Sequence, residues 1–498
     1  LHLVKAALAS GLIRRFTNVL NAIHKEDRQT GNEDCRKQDA PTTNAHLVFN
    51  PLSQNASLTR LGNRPAEFNL HDAATPSRGQ FSKQTLTKGT VTVNTFVTHL
   101  EGSIDGQRLE AGRLWNMHKD RPIWVRYDLP AIARAVRPSD LVGRAPSLWR
   151  YRELLPLPFD VEAVSLGEGM TPLLACPRLG REFGLSQLWV KDESQLPTGS
   201  FKSRGMAVAI SMAKHLGVKR VALPTAGNAG GSAAAYAARA GLECYILMPD
   251  DTPAVNQMEA NLYGAKAYLV NGLIDDCGKI VRTNAESMGW FDFSTLKEPY
   301  RLEGKKTMGL ELAEQLGWRL PDAILYPTGG GTGLIGMWKA FQELRAMGWL
   351  TDEKWSRLYS CQSDGCAPIV RAFEAGQRFA TKFENAATVA SGLRVPAAVG
   401  DFMMLDAIRE SGGKAICGPE SEITHWMRRA SSAEGISICP ETAIAFAALQ
   451  SLRNSGDIRP DEKVVVFNTA AAQKYMEAFP VSLPRIDKSM PFTEVALN

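Results

Sequence analysis

From residue 164 to residue 475 the chain repeats one pattern: a short apolar run, a loop of glycine or small polar residues, and an amphipathic stretch of helical length. The apolar runs fall at 188–190, 220–226 (RVALPTA), 243–249 (ECYILMP), 265–271, 323–327 (AILYP), 357–362 and 463–469 (KVVVFNT). Helical stretches lie between most of them, at 230–240, 255–263, 305–316 and 334–347. Strand-length runs without polar alternation are covered on both faces, and their alternation with helices predicts a mostly parallel, doubly wound α/β fold. Ligands in such sheets bind beyond the carboxyl ends of the strands. Function is therefore to be sought in the loops that follow the apolar runs.

The first of these loops lies in LWVKDESQLPTGSFKSRG, residues 188–205. Pro197 and Gly199 break the chain, and Ser200 stands where a helix N-cap belongs. The helix that follows, to about Gly217, offers Phe201, Ala207, Val208, Ile210 and Met212 as apolar positions. Lys202 sits at the join, where its neighbours pack inward and its amine is drawn toward a cleft. A lysine so placed loses solvation, its pKa falls, and it becomes a nucleophile able to condense with an aldehyde. A helix-start lysine taken singly is more often solvated, so the remaining loops decide.

In PTAGNAGGSAAAY (224–236) Gly227 and Gly230 permit tight turns, small residues let a helix start close to a ligand, and Asn228 puts an amide at the turn. Such an Asn either contacts a ligand or fills an Asx-turn. In PTGGGTGLIG (327–336) a glycine-rich loop between a strand and a helix exposes several N–H groups at the positive end of a helix dipole, which suits a phosphate. The same text holds the dinucleotide spacing at Gly331, Gly333 and Gly336. That fold expects an acid about 20 residues on, at the end of the next strand, whereas here the next strand runs to Asp364 and the glycines come deep in the chain. In FNTAAAQKY (467–475) Thr469 ends the last strand with a hydroxyl able to meet a heteroaromatic nitrogen, although a strand-end Thr is usually structural.

Composition narrows the remaining classes. Net charge is +5 over 498 residues, and no basic cluster interleaved with aromatics occurs, which argues against nucleic-acid binding. The eight cysteines are scattered; Cys361 and Cys366 have no histidine or second pair beside them, so neither a metal site nor a disulfide framework is expected, and a reducing cytoplasm fits. No uninterrupted apolar run reaches the roughly 18 residues of a membrane span. Residues 1–90 contain no Trp or Tyr and are polar without period from 26 to 88, so disorder is the expectation. Their apolar, basic first 20 residues resemble a targeting peptide without a cleavage site. An upstream-extended reading frame, with the working protein beginning near Val91, is the better account. Residues 96–129 alternate around Gly106 and Gly112 as a small β-rich unit, and 130–155 read as helix and connector.

A phosphate cradle, a turn amide, a strand-end hydroxyl and a desolvated lysine are together what pyridoxal phosphate requires. Read in order, SLGEGMTPL (165–173), PTGSFKSRG, PTAGNAGGSAAAYAARAG, LMPDDTP and PTGGGTG resemble the motifs of fold-type II pyridoxal-phosphate enzymes, most closely the threonine synthase family, over residues 96–475. The resemblance implies two doubly wound α/β domains with the active site between them. The catalytic core would span 156–485, its smaller domain (about 205–300) inserted in the larger; 91–155 would be a front subdomain and connector without metal, and 486–498 a tail. It implies that catalytic Lys202 carries the coenzyme as an aldimine next to Phe201, that Asn228 meets the ring 3′-oxygen, that Gly329, Gly330, Gly331, Thr332 and Gly333 hold the phosphate, and that Thr469 faces the pyridine nitrogen. Thr225, Ala226, Gly227 and Asn228 would receive the substrate carboxylate. Arg301, with Lys305 and Lys306 nearby in sequence, would bind a substrate phosphate. The implied activity is that of a carbon–oxygen lyase acting on phosphates, converting O-phospho-L-homoserine and water to L-threonine and phosphate, in a cytoplasmic enzyme with a homodimer as its possible assembly.

Three places depart from the family pattern. Thr295-Leu296 stand where an Asn-Ser pair binds substrate phosphate, and Leu296 has no donor. Thr469 is followed by Ala470, Ala471 and Ala472 where glycines are usual, so the local turn is expected to differ. Gly102 occupies a position where relatives carry a paired cysteine. The alternative on the same scaffold is a threonine or serine ammonia-lyase, which needs no distal phosphate site.

Overall fold

The computed structural model describes residues 94–481, 483–486 and 488. The front extension 1–90 and most of the 486–498 tail lie outside the described residues. The front unit is a three-stranded antiparallel sheet of β1 (Val97–Gly102), β2 (Arg108–Leu109) and β3 (Ile123–Tyr127), in the order β2-β1-β3. The connector forms a helix, Leu129–Ala135, and two 3-10 segments, Pro138–Leu141 and Leu148–Leu154.

Two further sheets follow. Strands β4 (Leu173–Ala175) and β5 (Gln187–Asp192) belong to the larger; β6 (Arg220–Pro224), β7 (Glu243–Pro249), β8 (Lys266–Val270) and β9 (Phe291–Asp292) form the smaller; and β10 (Ala323–Pro327), β11 (Arg357–Ser363), β12 (Ala415–Gly418) and β13 (Lys463–Asn468) complete the larger. Its order is β12-β11-β10-β13-β5-β4, parallel throughout except at the edge pair β4-β5. Ala323, Leu325, Val464 and Val466 face one core, and Ile324, Tyr326, Val465 and Phe467 the other. Both faces of β10 and β13 are therefore apolar, which removes the period of two that a half-exposed strand would show. The smaller sheet is parallel, in the order β8-β7-β6-β9. Edge strand β8 is the exception to the buried-strand expectation: Tyr268 and Leu269 are each 55% exposed.

Five helices position the loops: α1 (Lys202–His215), α2 (Ala229–Ala240), α3 (Tyr300–Gln315), α4 (Thr332–Ala346) and α5 (Pro440–Asn454). Helix α3 starts five residues before the expected position 305, because the Glu298 carboxylate accepts the N–H groups of Tyr300 (2.8 Å) and Arg301 (3.0 Å) and so satisfies the orphan donors of its first turn. It crosses α1 and α4 almost at backbone contact. A Cβ on Gly304 would overlap the Arg204 carbonyl, and one on Gly336 would lie 2.9 Å from the Lys305 backbone.

Candidate active site

Strands β10, β13 and β5 are adjacent and parallel, so the loops leaving their carboxyl ends emerge side by side. These are the glycine-rich loop, the Thr469 segment and the loop that leads to Lys202. The last two are stitched together: the Phe201 N–H donates to the Thr469 carbonyl (3.0 Å) and the Ala471 N–H to the Gly199 carbonyl (3.0 Å). This ladder overturns the expected N-cap. Ser200 is extended and bridged to Ala470, its buried hydroxyl has no partner, and Phe201 occupies the cap position. The alanines after Thr469 take no positive φ, as the absence of glycine there requires.

The first turn of α1 is locked from beneath. Arg204, fully buried, donates from Nε to Glu193 (2.6 Å) and from Nη1 to Glu311 (2.9 Å), while the buried Lys191 ammonium also pairs with Glu311. Thr171 donates to Glu193 (2.7 Å), and Glu168 accepts from Tyr236 (2.6 Å) and Trp149 (3.0 Å). Glu168 and Thr171 of SLGEGMTPL thus tie this segment to the network beneath α1. Removing one member of such a network would strand a buried charge.

Lys202 is half-buried, with its amine end among protein atoms. Burial is the main cause of its lowered pKa, the Arg301 guanidinium adds to it and the Glu441 carboxylate opposes it; the result is pushed down to about 8. The amine lies 4.4 Å from the centroid of the Phe201 ring. A lysine whose pKa is lowered toward physiological pH is suited to act as a nucleophile or base.

The loop after β10 packs so closely against its neighbours that its glycines have no space for side chains. Gly331 caps α4 with φ +76°, a backbone region that favours glycine. A Cβ there would overlap the Met404 sulfur, and one on Gly329 the Gly392 carbonyl. A Cβ on Gly333 would overlap the Tyr326 hydroxyl, and one on Gly330 would lie 3.0 Å from Thr295. With Thr332 opening the helix, this cradle fits a phosphate ester held by backbone N–H groups.

Asn228 opens α2 with helical backbone and no capping bond from its side chain, which settles the Asx-turn alternative. Its Nδ2 donates to Tyr475 Oη (2.9 Å), and its Oδ1 is buried without a partner. Beside it the Gly227 N–H donates to Thr225 Oγ1 (3.1 Å), and Ala226 and Gly227 keep some exposure. Thr469 is buried, its Oγ1 lies 3.5 Å from Cys439 Sγ, and burial pushes the Cys439 thiol up to about 12. Free Asn228 Oδ1, cradle, Thr469 hydroxyl and Lys202 together match the polar edges of a pyridoxal phosphate.

The three basic residues of the Arg301 segment separate. All are buried. Lys306 is committed to Glu303 (2.7 Å) and Glu343 (2.8 Å) and leaves the set of anion-binding candidates. Lys305 donates to the Phe201 carbonyl, lies 4.2 Å from the same ring as Lys202, and is held well below the usual lysine range by burial, Lys202 and Arg301. Arg301 donates from Nη1 to the Phe293 carbonyl (2.6 Å), while its buried Nε has no partner. Leu296 is buried with φ +61°. Sequence reasoning missed Tyr475, Glu441 and Cys439. Only their closeness to the Thr469 motif could have drawn attention to Tyr475, and nothing local marked the other two.

Residues 164–470 match the family model described as "Pyridoxal-phosphate dependent enzyme". The threonine synthase of Methanocaldococcus jannaschii is 36% identical over 353 residues, 71% of this chain and 86% of that protein. That of Methanosarcina acetivorans is 37% identical over 346 residues, 69% and 84% of the two chains. The processed form of threonine deaminase isoform 2 from Solanum lycopersicum shares the fold, with TM-score 0.52 at 21% identity over 62% of this chain and 82% of that one. The parallel sheets, the loops gathered at their carboxyl ends and these likenesses agree: the chain belongs to the fold-type II family of pyridoxal-phosphate-dependent enzymes.

Proposed function

We propose that the chain converts O-phospho-L-homoserine and water to L-threonine and phosphate, the activity for which its threonine synthase relatives are named. The observation that carries this reading is Arg301: a buried guanidinium with an unpartnered Nε and, among the described residues, no ion pair, close enough to depress the pKa of Lys202. A buried cation left in that state is built for an anion that arrives with the substrate.

Bound pyridoxal phosphate supplies an electron sink for the carbanion generated next to the amino group. Lys202 would hold the coenzyme's aldehyde carbon and, as a free amine, would take the proton from substrate Cα at Nζ. Backbone groups of 329–333 would hold the coenzyme phosphate, the Asn228 amide would meet the ring oxygen, and Thr469 would offer a neutral hydroxyl to the ring nitrogen. A hydroxyl gives little reason to protonate that nitrogen, which favours elimination and replacement at the side chain over transamination. Thr225 to Asn228 receive the substrate carboxylate at the start of α2, and Arg301 holds the departing phosphate. The smaller sheet and its helices form the inserted domain of residues 205–300, and the enzyme works as a cytoplasmic homodimer.

An ammonia-lyase acting on threonine or serine is the second reading, favoured by Leu296, whose apolar side chain adds nothing to a distal phosphate site. The two separate when purified protein is given O-phosphohomoserine and, separately, threonine. Phosphate release with threonine formation supports the synthase. 2-Oxobutyrate from threonine, with no phosphate release from the other substrate, replaces it with the lyase.

A further inference from the structure

Three side chains outside the expected set, Glu441, Cys439 and Tyr475, lie close to one another, and the first of them reaches Lys202. Glu441, in the first turn of α5, is buried; its Oε1 accepts the Gly392 N–H (2.9 Å), and its Oε2 is buried without a hydrogen-bond partner. That carboxylate lies within electrostatic reach of Lys202, the Cys439 thiol and the Tyr475 phenol. Tyr475 in turn receives the Nδ2–H of Asn228 at 2.9 Å.

The chemistry of the three groups fixes the direction of the chain they form. The phenol oxygen accepts from Asn228 Nδ2 and so presents a lone pair to that amide, with the acceptor-only Glu441 carboxylate near its own O–H. Only the NH2 end of the amide can face that lone pair, which sets the flip of the side chain and leaves Oδ1 and a second N–H for a ligand. We propose that Glu441 and Tyr475 are positioning residues that act through Asn228 and Lys202: the phenol fixes the orientation of the amide toward the coenzyme, and the carboxylate holds a negative charge beside the reacting amine. The proposal rests on the pyridoxal-phosphate reading of Lys202 and Asn228. The other charged groups facing that amine are Arg301 and Lys305 from α3.

Tyr475→Phe and Glu441→Gln holoenzymes test it, with equilibrium dialysis against pyridoxal phosphate and a pH titration of the visible absorbance of the Lys202-linked coenzyme. Loss of one buried hydrogen bond predicts coenzyme binding about fivefold to tenfold weaker in Tyr475→Phe. Removal of the anion predicts that the absorbance midpoint in Glu441→Gln falls by about one pH unit, whereas loosened packing would hydrate the site and raise it. Wild-type coenzyme affinity in Tyr475→Phe, or an unmoved midpoint in Glu441→Gln, overturns the proposal. A wild-type protein that takes up no coenzyme on Lys202 defeats the underlying reading instead.

Discussion

Holding Lys202 near neutrality has a cost to the apoprotein that can be measured. An unfolded lysine keeps its proton up to about pH 10.5, whereas the folded one sheds it near 8. Between those values the folded chain binds fewer protons than the unfolded chain, so stability rises with pH; below about 8 both forms are protonated and the penalty applies in full. Moving the pKa from 10.5 to about 8 corresponds to about 3 kcal/mol, to be reduced somewhat because the side chain keeps partial exposure. Lys202→Met keeps the length and apolar stem of the side chain and removes the charge. Urea unfolding of the two apoproteins is expected to show Lys202→Met about 2 to 3 kcal/mol more stable at pH 7, with the advantage fading toward pH 10.5. Pyridoxal phosphate at 1,000 times its dissociation constant stabilises wild type by about 4.1 kcal/mol, which reverses the order because only wild type forms the covalent bond. Equal stabilities at pH 7, or a difference independent of pH, would refute a desolvated amine at this position.

Gly331→Ala forces a side chain onto a backbone at φ +76° and into the Met404 sulfur; coenzyme affinity measured by dialysis should fall at least about tenfold. Gly304→Ala drives a methyl into the Arg204 carbonyl at the α1–α3 crossing, and calorimetry should show about 2 to 3 kcal/mol lost by overpacking. Arg301→Gln removes a charged hydrogen-bond donor from the distal site, so KM for O-phosphohomoserine should rise about tenfold or more.

The strands and loops were legible because buried parallel strands write themselves as unbroken apolar runs, as in β10 and β13, and because a phosphate cradle demands glycine in the same places. The position of Lys202 at a helix start was legible for the same reason: a loop, a helix start and inward-packing neighbours are all local. The error at Ser200 arose where local and distant preferences competed. A serine before a helix reads as a cap, but pairing with Ala470 across 270 residues of chain drew it into extended backbone. Lys306 read like its neighbours Arg301 and Lys305, yet it points to Glu343 on α4, a partner that only the helix crossing supplies. Glu441 and Tyr475 were invisible because neither belongs to a glycine-rich loop; their meaning arises when the ends of α5 and β13 come together.

The central claim is that one amine, Lys202, binds the coenzyme covalently. Borohydride reduction of the coenzyme-loaded enzyme followed by peptide mass mapping tests it most directly. Pyridoxyl label on the peptide containing Lys202, and its absence from Lys202→Met, is the result predicted. Label on Lys305 or any other lysine, or no label at all, would contradict the account.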